Sequence, residues 1–148
     1  MTTSNIDRFD EITGLIFAKL YKSFPVPTEL SPVLIVGTNL RERAPDGLGT
    51  IQNENAYFFT ACLEWLRSAG YLDIGDSFDD GTYISCVLTA KGLEVLKAVP
   101  ESIHSGPSLG EKLVDASKSG TKELVRGVVG EALSIGARMF TNHLGLPG

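Results

Sequence analysis

The stretch 53–99 reads NENAYFFTACLEWLRSAGYLDIGDSFDDGTYISCVLTAKGLEVLKAV, and it decides the predicted fold. Asn53 is a good N-cap and Gly70 stands where a left-handed C-terminal glycine belongs, so a helix is predicted between them. Two strand-like pieces follow, at 71–74 and 82–88. The segment between them is rich in turn residues and ends in Asp-Gly, which predicts a hairpin with a loop longer than two residues.

The buried face of this helix is predicted from the spacing of its apolar side chains. On an ideal helical wheel, one stripe contains Phe58, Cys62, Trp65, Leu66 and Ala69. The opposite side carries Ala56, Tyr57, Thr60, Glu64 and Arg67. We therefore expect the first set to face the core and the second set to face solvent.

Helices are also predicted on both sides of this stretch. A periodic apolar face runs from about 6 to 24, and Ser4 or Asn5 can cap the helix that carries it. After the hairpin, Thr89 can cap a short helix that Pro100 ends.

The segment from 26 to 52 is open to two interpretations. Ser31-Pro32 is a suitable helix start, but residues 33–36 are equally consistent with a short buried strand. Residues 41–52 contain a proline and two glycines, and they are predicted to form an exposed loop.

Two helical stripes are predicted near the end of the chain. Ser108 and Glu111 form a capping box, so a helix should begin at Leu109, and a phase change at Ser119-Gly120 predicts a bend. The second stripe consists of Val125, Val128, Val129, Ala132, Leu133, Gly136, Met139 and Phe140. Either this stripe packs back on the chain's own core, or it pairs with that of a second copy to form a homodimer. The sequence favours neither alternative.

The order of these elements resembles the winged helix-turn-helix superfamily over about residues 6–100. The segment 65–72, WLRSAGYL, looks like the end of that superfamily's recognition helix running into the first wing strand. The segment 88–93, LTAKGL, resembles the Leu-Thr-x-x-Gly pattern at which the second wing strand turns into the next helix. The resemblance implies an α+β fold, predominantly α, with a winged-helix domain at 1–104 and a C-terminal helical extension at 105–148.

The resemblance also implies a binding surface and a function. The recognition helix maps to about 54–69 and the wing tip to 76–81, and Ala56 is one of the groove-facing positions. The residues expected to meet nucleic acid or a partner are Asn53, Asn55, Tyr57, Thr60, Glu64 and Arg67. The implied function is that of a dimeric, DNA-associated regulator of transcription that contacts double-stranded DNA.

The charge of this region favours a second hypothesis. Residues 53–99 hold three bases and seven acids, a net charge of 3 − 7 = −4, and an acidic wing repels a phosphate backbone. The alternative is an acidic winged-helix adaptor, or assembly component, that binds a basic protein partner and no DNA. DNA binding stays open because bases elsewhere can gather beside the helix in the folded chain. These bases are Lys19, Lys22, Arg41 and Arg43.

No pattern of residues indicates catalysis or a metal site. A hydrolase needs a nucleophile, a base and an orienting acid together, yet the only histidines are His104 and His143. Phosphate loops and nucleophile elbows are absent from the sequence. The wing acids Asp73, Asp76, Asp79 and Asp80 do not have the spacing of an EF-hand loop. We therefore expect no enzyme activity, no cofactor and no metal.

Composition and charge indicate the compartment. A net charge of −5 argues against a general affinity for phosphate backbones or anionic lipid. No run reaches the roughly 18 apolar residues that a membrane span needs. No signal peptide is visible, and Cys62 and Cys86 fit buried free thiols in a reducing compartment. We expect a cytoplasmic protein without a membrane partner.

Overall fold

The computed structural model describes residues 3–99 and 106–143. The helices in them are α1 (Asn5–Ser23), α2 (Pro32–Val36), α3 (Glu54–Ser68), α4 (Ala90–Lys97), α5 (Leu109–Ser119) and α6 (Lys122–His143). The strands are β1 (Thr28–Leu30), β2 (Arg41–Arg43), β3 (Thr50–Gln52), β4 (Leu72–Asp73), β5 (Asp76–Ser77) and β6 (Tyr83–Leu88). An α+β class with a helical majority is therefore confirmed.

Short polar side chains begin five of the helices in the described residues. Ser4, Ser31, Asn53, Thr89 and Ser108 each accept a hydrogen bond from the backbone N–H three residues later. Each contact pairs a donor that the helix itself leaves unpaired. The helix starts predicted from Asn53, Thr89 and Ser108 are confirmed, and the open segment after Ser31 is a helix rather than a strand.

The main sheet is antiparallel and has the strand order β1-β6-β4, with β5 also paired to β6. β6 therefore pairs with β1, which follows α1, and with β4 and β5, which follow α3. The pairing of β4 with β6 is the predicted hairpin. Thr28 pairs with Cys86 and Leu30 pairs with Tyr83, so β6 has one residue more than β1 over this interval. Ser85 lies in the resulting bulge and has a φ of 58°.

The core surrounds α1, which packs against α3, α5 and α6. Ile16 and Phe17 of α1 are fully buried, and Val129 of α6 belongs to the same apolar cluster. At the start of α5, the Leu109 N–H donates to the Ala98 carbonyl oxygen at the end of α4 over 2.9 Å. The C-terminal helices thus share one hydrophobic core with the preceding elements. The expected domain boundary between residues 104 and 105 lies outside the described residues.

The second predicted stripe of the tail faces the chain's own core. The bend before it is confirmed, because Gly120 ends α5 with a φ of 73°. Five of its members are buried, namely Val125, Val128, Val129, Ala132 and Gly136. Gly136 is buried against the Tyr71 ring, and Leu133 and Met139 are partly buried. Phe140 lies in α6, but its side chain is outside the described residues. A homodimer built on this stripe stays a prediction, and it requires α6 to leave the core.

The orientation of α3 differs from the predicted one. Trp65, expected in the core, is 51% exposed, whereas Ala56, expected on the binding face, is fully buried. The buried side chains are Ala56, Phe59, Cys62, Leu63 and Leu66. Because apolar side chains occur on more than one side of α3, their spacing alone does not fix which side packs. Contact with α1 and α2 selects the side of Phe59 and Leu63.

Residues 41–52 are an antiparallel ribbon of β2 and β3 rather than the predicted loop. Arg41 pairs with Gln52 and Arg43 pairs with Thr50. All the side chains of the two strands are exposed. Backbone pairing therefore forms this ribbon without a buried face, so hydrophobic alternation gives no signal for it in the sequence.

Candidate functional site

An apolar groove lies between the N-terminal half of α1 and the exposed side of α3. It has a volume of about 400 Å³. Its lining residues are Asn5, Ile6, Phe9, Phe58, Ala61, Cys62 and Trp65. Ile6 is 69% exposed, Trp65 is 51% exposed, and Tyr57 on the same side of α3 is 56% exposed. We call this feature the α1/α3 groove.

Aromatic contacts and one arginine fix the shape of the α1/α3 groove. The Phe9 and Trp65 rings meet edge to face, with their centroids 5.3 Å apart. The Arg8 guanidinium lies 4.1 Å from the centre of the Phe58 ring. It also pairs with Glu54 at 3.5 Å and donates to the Asn55 side-chain oxygen at 3.1 Å. The cation nearest the groove is therefore already engaged within the chain.

The floor of the groove is a neutral thiol. Cys62 is buried, and burial raises its pKa to about 12, although Arg8 acts in the opposite direction. Burial likewise raises the pKa of Cys86 to about 11. At neutral pH both side chains are protonated, so neither is an activated nucleophile. Cys62 therefore contributes an apolar, uncharged surface to the groove.

Three of the predicted binding residues are hydrogen-bonded inside the chain. Asn53 accepts from the Ala56 N–H at 3.0 Å and from the Thr38 hydroxyl at 3.2 Å, while its amide donates to Glu42 at 2.9 Å. Asn55 is held by Arg8, as described above. Thr60 donates to the Ala56 carbonyl oxygen at 3.2 Å. These side chains position α3 and its flanks.

The other three predicted binding residues lie on the outer side of α3. Glu64 and Arg67 form an exposed ion pair at 3.5 Å, and Glu64 also lies beside Tyr83 of β6. Burial and the neighbouring Glu64 carboxylate raise the pKa of Tyr83. Tyr57 is exposed next to the groove. The structure thus brings Tyr57 together with Ala61 and Trp65, which the sequence prediction left out of the binding surface.

The hairpin after α3, which the sequence predicts as the wing, is acidic and exposed. Its tip carries Phe78, which is 55% exposed, followed by Asp79 and Asp80. Asp80 accepts a hydrogen bond from the Thr82 N–H at 3.0 Å, and this contact lowers the pKa of its carboxyl group. Residues 3–99 and 106–143 contain no group of three or more His, Cys, Asp or Glu residues placed to hold a metal ion.

The basic residues that were candidates for a DNA-binding face lie in two separate places. Arg41 and Arg43 lie on β2, at the base of the ribbon that leads into α3, where the Asn53 N–H donates to the Leu40 carbonyl oxygen at 2.8 Å. Lys19 and Lys22 line a different cleft, between α1, α2 and α5. They do not join the arginines beside α3.

Comparison with known proteins assigns no family to this chain. No protein-family model, no curated protein and no solved structure matches it. Within the part of the chain that the structure describes, every helix is too short or too polar to cross a membrane.

Proposed function

We propose that this chain is a non-enzymatic winged-helix protein that binds a basic protein partner through the α1/α3 groove and the acidic wing that follows α3. The order of α1, β1, α2, α3, β4 and β6 supports the winged-helix assignment. The antiparallel pairing of β4 with β6 directly after α3 supports it as well, because these are the strands that the resemblance makes the wing.

The observation that carries the binding function is the composition of the exposed side of α3. Tyr57, Ala61 and Trp65 follow one another at four-residue steps, and all three are exposed. A helix that reads a DNA groove presents cationic and hydrogen-bonding side chains to phosphates and base edges. Exposed aromatic side chains around a groove are instead typical of protein interfaces. The α3 surface is therefore better suited to a protein than to DNA.

The charges around the groove favour a basic partner. Arg8 and Arg67 are both paired with glutamates of α3. The Glu54 side chain is 86% exposed, and the wing adds Asp79 and Asp80 beyond the end of α3. A partner that approaches the exposed side of α3 therefore meets apolar side chains whose neighbouring arginines are already neutralised, and the acidic wing would complement its lysine and arginine.

The size of the groove indicates what part of the partner it accepts. A volume of about 400 Å³ accommodates a large side chain rather than a whole helix. Interfaces commonly gain most of their affinity from a few aromatic or aliphatic anchors set in such pockets. The proposed occupant is thus a segment with one or two apolar anchors and with Lys or Arg beside them.

Selection from a library of random peptides displayed on phage, with the full chain as bait, tests this chemistry. The selected peptides should combine an aromatic or aliphatic anchor with basic neighbours. A synthetic copy should change the fluorescence of Trp65, the chain's single tryptophan, and its affinity should fall as salt is added. Selection of acidic peptides, or of none, contradicts the proposal.

A matched pair of variants shows whether the selected peptide uses the groove. Ala61 and Ala90 are both exposed residues on helices, and only Ala61 lines the groove. Ala61→Arg should weaken peptide binding by about tenfold or more, as expected for a blocked anchor site, whereas Ala90→Arg should not. Circular dichroism checks that both variants fold. Equal affinities for the two variants mean that the peptide binds elsewhere.

A second candidate, the DNA-associated regulator, is favoured by the β2–β3 ribbon. Arg41 and Arg43 are exposed, lie on the same face of β2, and have no ion-pair partner among the described residues. Labelled mixed-sequence duplex DNA, titrated from low to physiological salt, tests this function. Salt-dependent binding that is weaker in Arg41→Gln/Arg43→Gln supports it. Absence of binding at low salt excludes general duplex binding.

A further inference from the structure

We infer that the cleft between α1, α2 and α5 is a binding site for a small amphipathic anion, a molecule with a carboxylate or phosphate head and a short apolar tail. This lysine cleft has a volume of about 290 Å³. Three of its lining residues are Lys19, Lys22 and Lys118, and none of its lining residues is acidic. In a chain with a net charge of −5, three cations at one cleft are a marked local excess.

The three lysines have no counter-ion within the described residues. The ion pairs there involve Arg8, Arg67 and Arg126. Lys22 and Lys118 also lie in the last turns of α1 and α5, where a cation stabilises the helix end. That role does not require the two helices to direct their lysines to the same cleft. Like charges gathered in this way repel one another, and a bound anion removes the repulsion.

The rest of the cleft is apolar and partly uncovered. Leu15, Ile35 and Val114 line it together with Leu34, which is 51% exposed. An inorganic anion would leave these side chains in contact with water, whereas an alkyl tail would cover them. The volume lies near the lower end of the range for ligand pockets, so the ligand is small.

One buried polar atom supports a ligand with hydrogen-bonding capacity. Ser117 is one of the residues that line the cleft, and its hydroxyl has no hydrogen-bond partner and almost no solvent exposure. Such groups are rare in folded proteins, because losing contact with water without a replacement is unfavourable. A rotation of this side chain would offer the hydroxyl to the head group of a ligand.

Octanoate, octyl phosphate and octan-1-ol are matched probes, because they share the tail and differ in the head. Calorimetry should give an affinity for at least one anion about tenfold or more above that for the alcohol, as expected for charge-assisted contacts. The order of the two anions identifies the head group. In NMR spectra, the amide signals of Ile35 and Val114 should shift on binding. Equal affinities for alcohol and anions, or shifts confined to the Trp65 indole, overturn the proposal.

Two double variants with the same change of charge complete the test. Lys22→Gln/Lys118→Gln removes two cations of the cleft, and Lys97→Gln/Lys112→Gln removes two lysines that do not line it. The first variant should bind the preferred anion about tenfold more weakly, whereas the control variant should bind it as the natural chain does. Equal loss in both variants shows a general effect of net charge and overturns the assignment of the site.

Discussion

Helices α3 and α6 carry apolar side chains in similar abundance but differ in what covers them. The inner side of α6 lies on α1, α4 and α5, and Val129 and Ala132 on it are fully buried. The inner side of α3 is equally well buried, but its outer side also carries apolar residues. Tyr57 and Trp65 remain 56% and 51% exposed there. Helix α6 packs its apolar side on the core, whereas α3 packs one apolar side on the core and also has exposed aromatic side chains on its outer side.

Glycines explain why α6 comes so close to the core. A Cβ atom on Gly14 of α1 would overlap the side chain of Val125, and one on Gly136 of α6 would overlap the Tyr71 ring. On the outer face of α6, Gly130 has open space around it. The missing side chains therefore mark two points of especially close contact between α6 and the rest of the chain. The comparison shows that apolar content alone does not separate a buried face from an exposed one.

The largest expected effect comes from placing the same charge on each helix. Val129→Asp buries a carboxylate beside α1, so we expect a loss of about 4 kcal/mol or more in the free energy of unfolding. Ala61→Asp adds the same group to the exposed side of α3, so the expected change is within about 0.5 kcal/mol. Denaturation by urea, followed by circular dichroism, measures both.

This pair of variants also tests the alternative role of α6. If the stripe of α6 served a dimer interface and were exposed in the monomer, Val129→Asp would give a stable, folded monomer. Sedimentation of the variant together with the natural chain distinguishes that outcome from unfolding. A folded Val129→Asp chain would contradict the packing of α6 on the core.

A smaller effect is expected from truncating two neighbouring residues of α3. Leu66 is fully buried, so Leu66→Ala should lower the free energy of unfolding by about 3 kcal/mol. Trp65 is larger but half exposed, so Trp65→Ala should cost about 1 kcal/mol and should weaken binding of a groove peptide more than it weakens folding. Urea denaturation and peptide titration give the two quantities. If Trp65→Ala lowered the free energy of unfolding more than Leu66→Ala does, Trp65 would lie in the core, as the sequence predicted.

Capping residues and the hairpin signal predicted most of the element order, because these signals are local. Asn53, Thr89 and Ser108 each bond to a backbone group three residues away, so neither their role nor the bend at Gly120 depends on distant parts of the chain. The β2–β3 ribbon escaped prediction because it buries no side chain, and a strand without a buried face has no period to detect.

The sequence did not predict the α1/α3 groove, for a different reason. It depends on which side of α3 meets α1, and that choice is made by packing between residues far apart in sequence. The contacts of Arg8 with Glu54 and Phe58 are of this kind, as is the meeting of Phe9 with Trp65. The one local sign was that α3 carries apolar side chains on more than one side. Exposed apolar side chains on a second side of a helix leave open which side packs on the core.

The smallest expected change in the free energy of unfolding concerns the ion pairs between α1 and α6. Arg126 of α6 lies 3.5 Å from Asp7 and 3.6 Å from Glu11. Asp10 lies between these acids in sequence, and its pKa is raised from 3.8 by burial and then by the Asp7 carboxylate, against the opposing effect of Arg126. Because folding raises this pKa, the charged form of Asp10 opposes folding. Protonated Asp10 therefore makes its full contribution to the free energy of unfolding below the unfolded-state pKa. This contribution is lost as pH rises through the folded-state pKa.

Asp10→Asn should therefore raise the free energy of unfolding slightly at pH 7 and should have little effect at pH 3. Urea denaturation at the two pH values measures this difference, and NMR titration of the Asp10 carboxyl group gives its pKa directly. Asp115→Asn is the matched control, since Asp115 is an exposed acid on α5. If Asp10→Asn destabilised the chain at pH 7, the attraction of Arg126 would outweigh burial and the Asp7 carboxylate. The charge pairing between α1 and α6 would then hold the two helices together more strongly than the raised pKa implies.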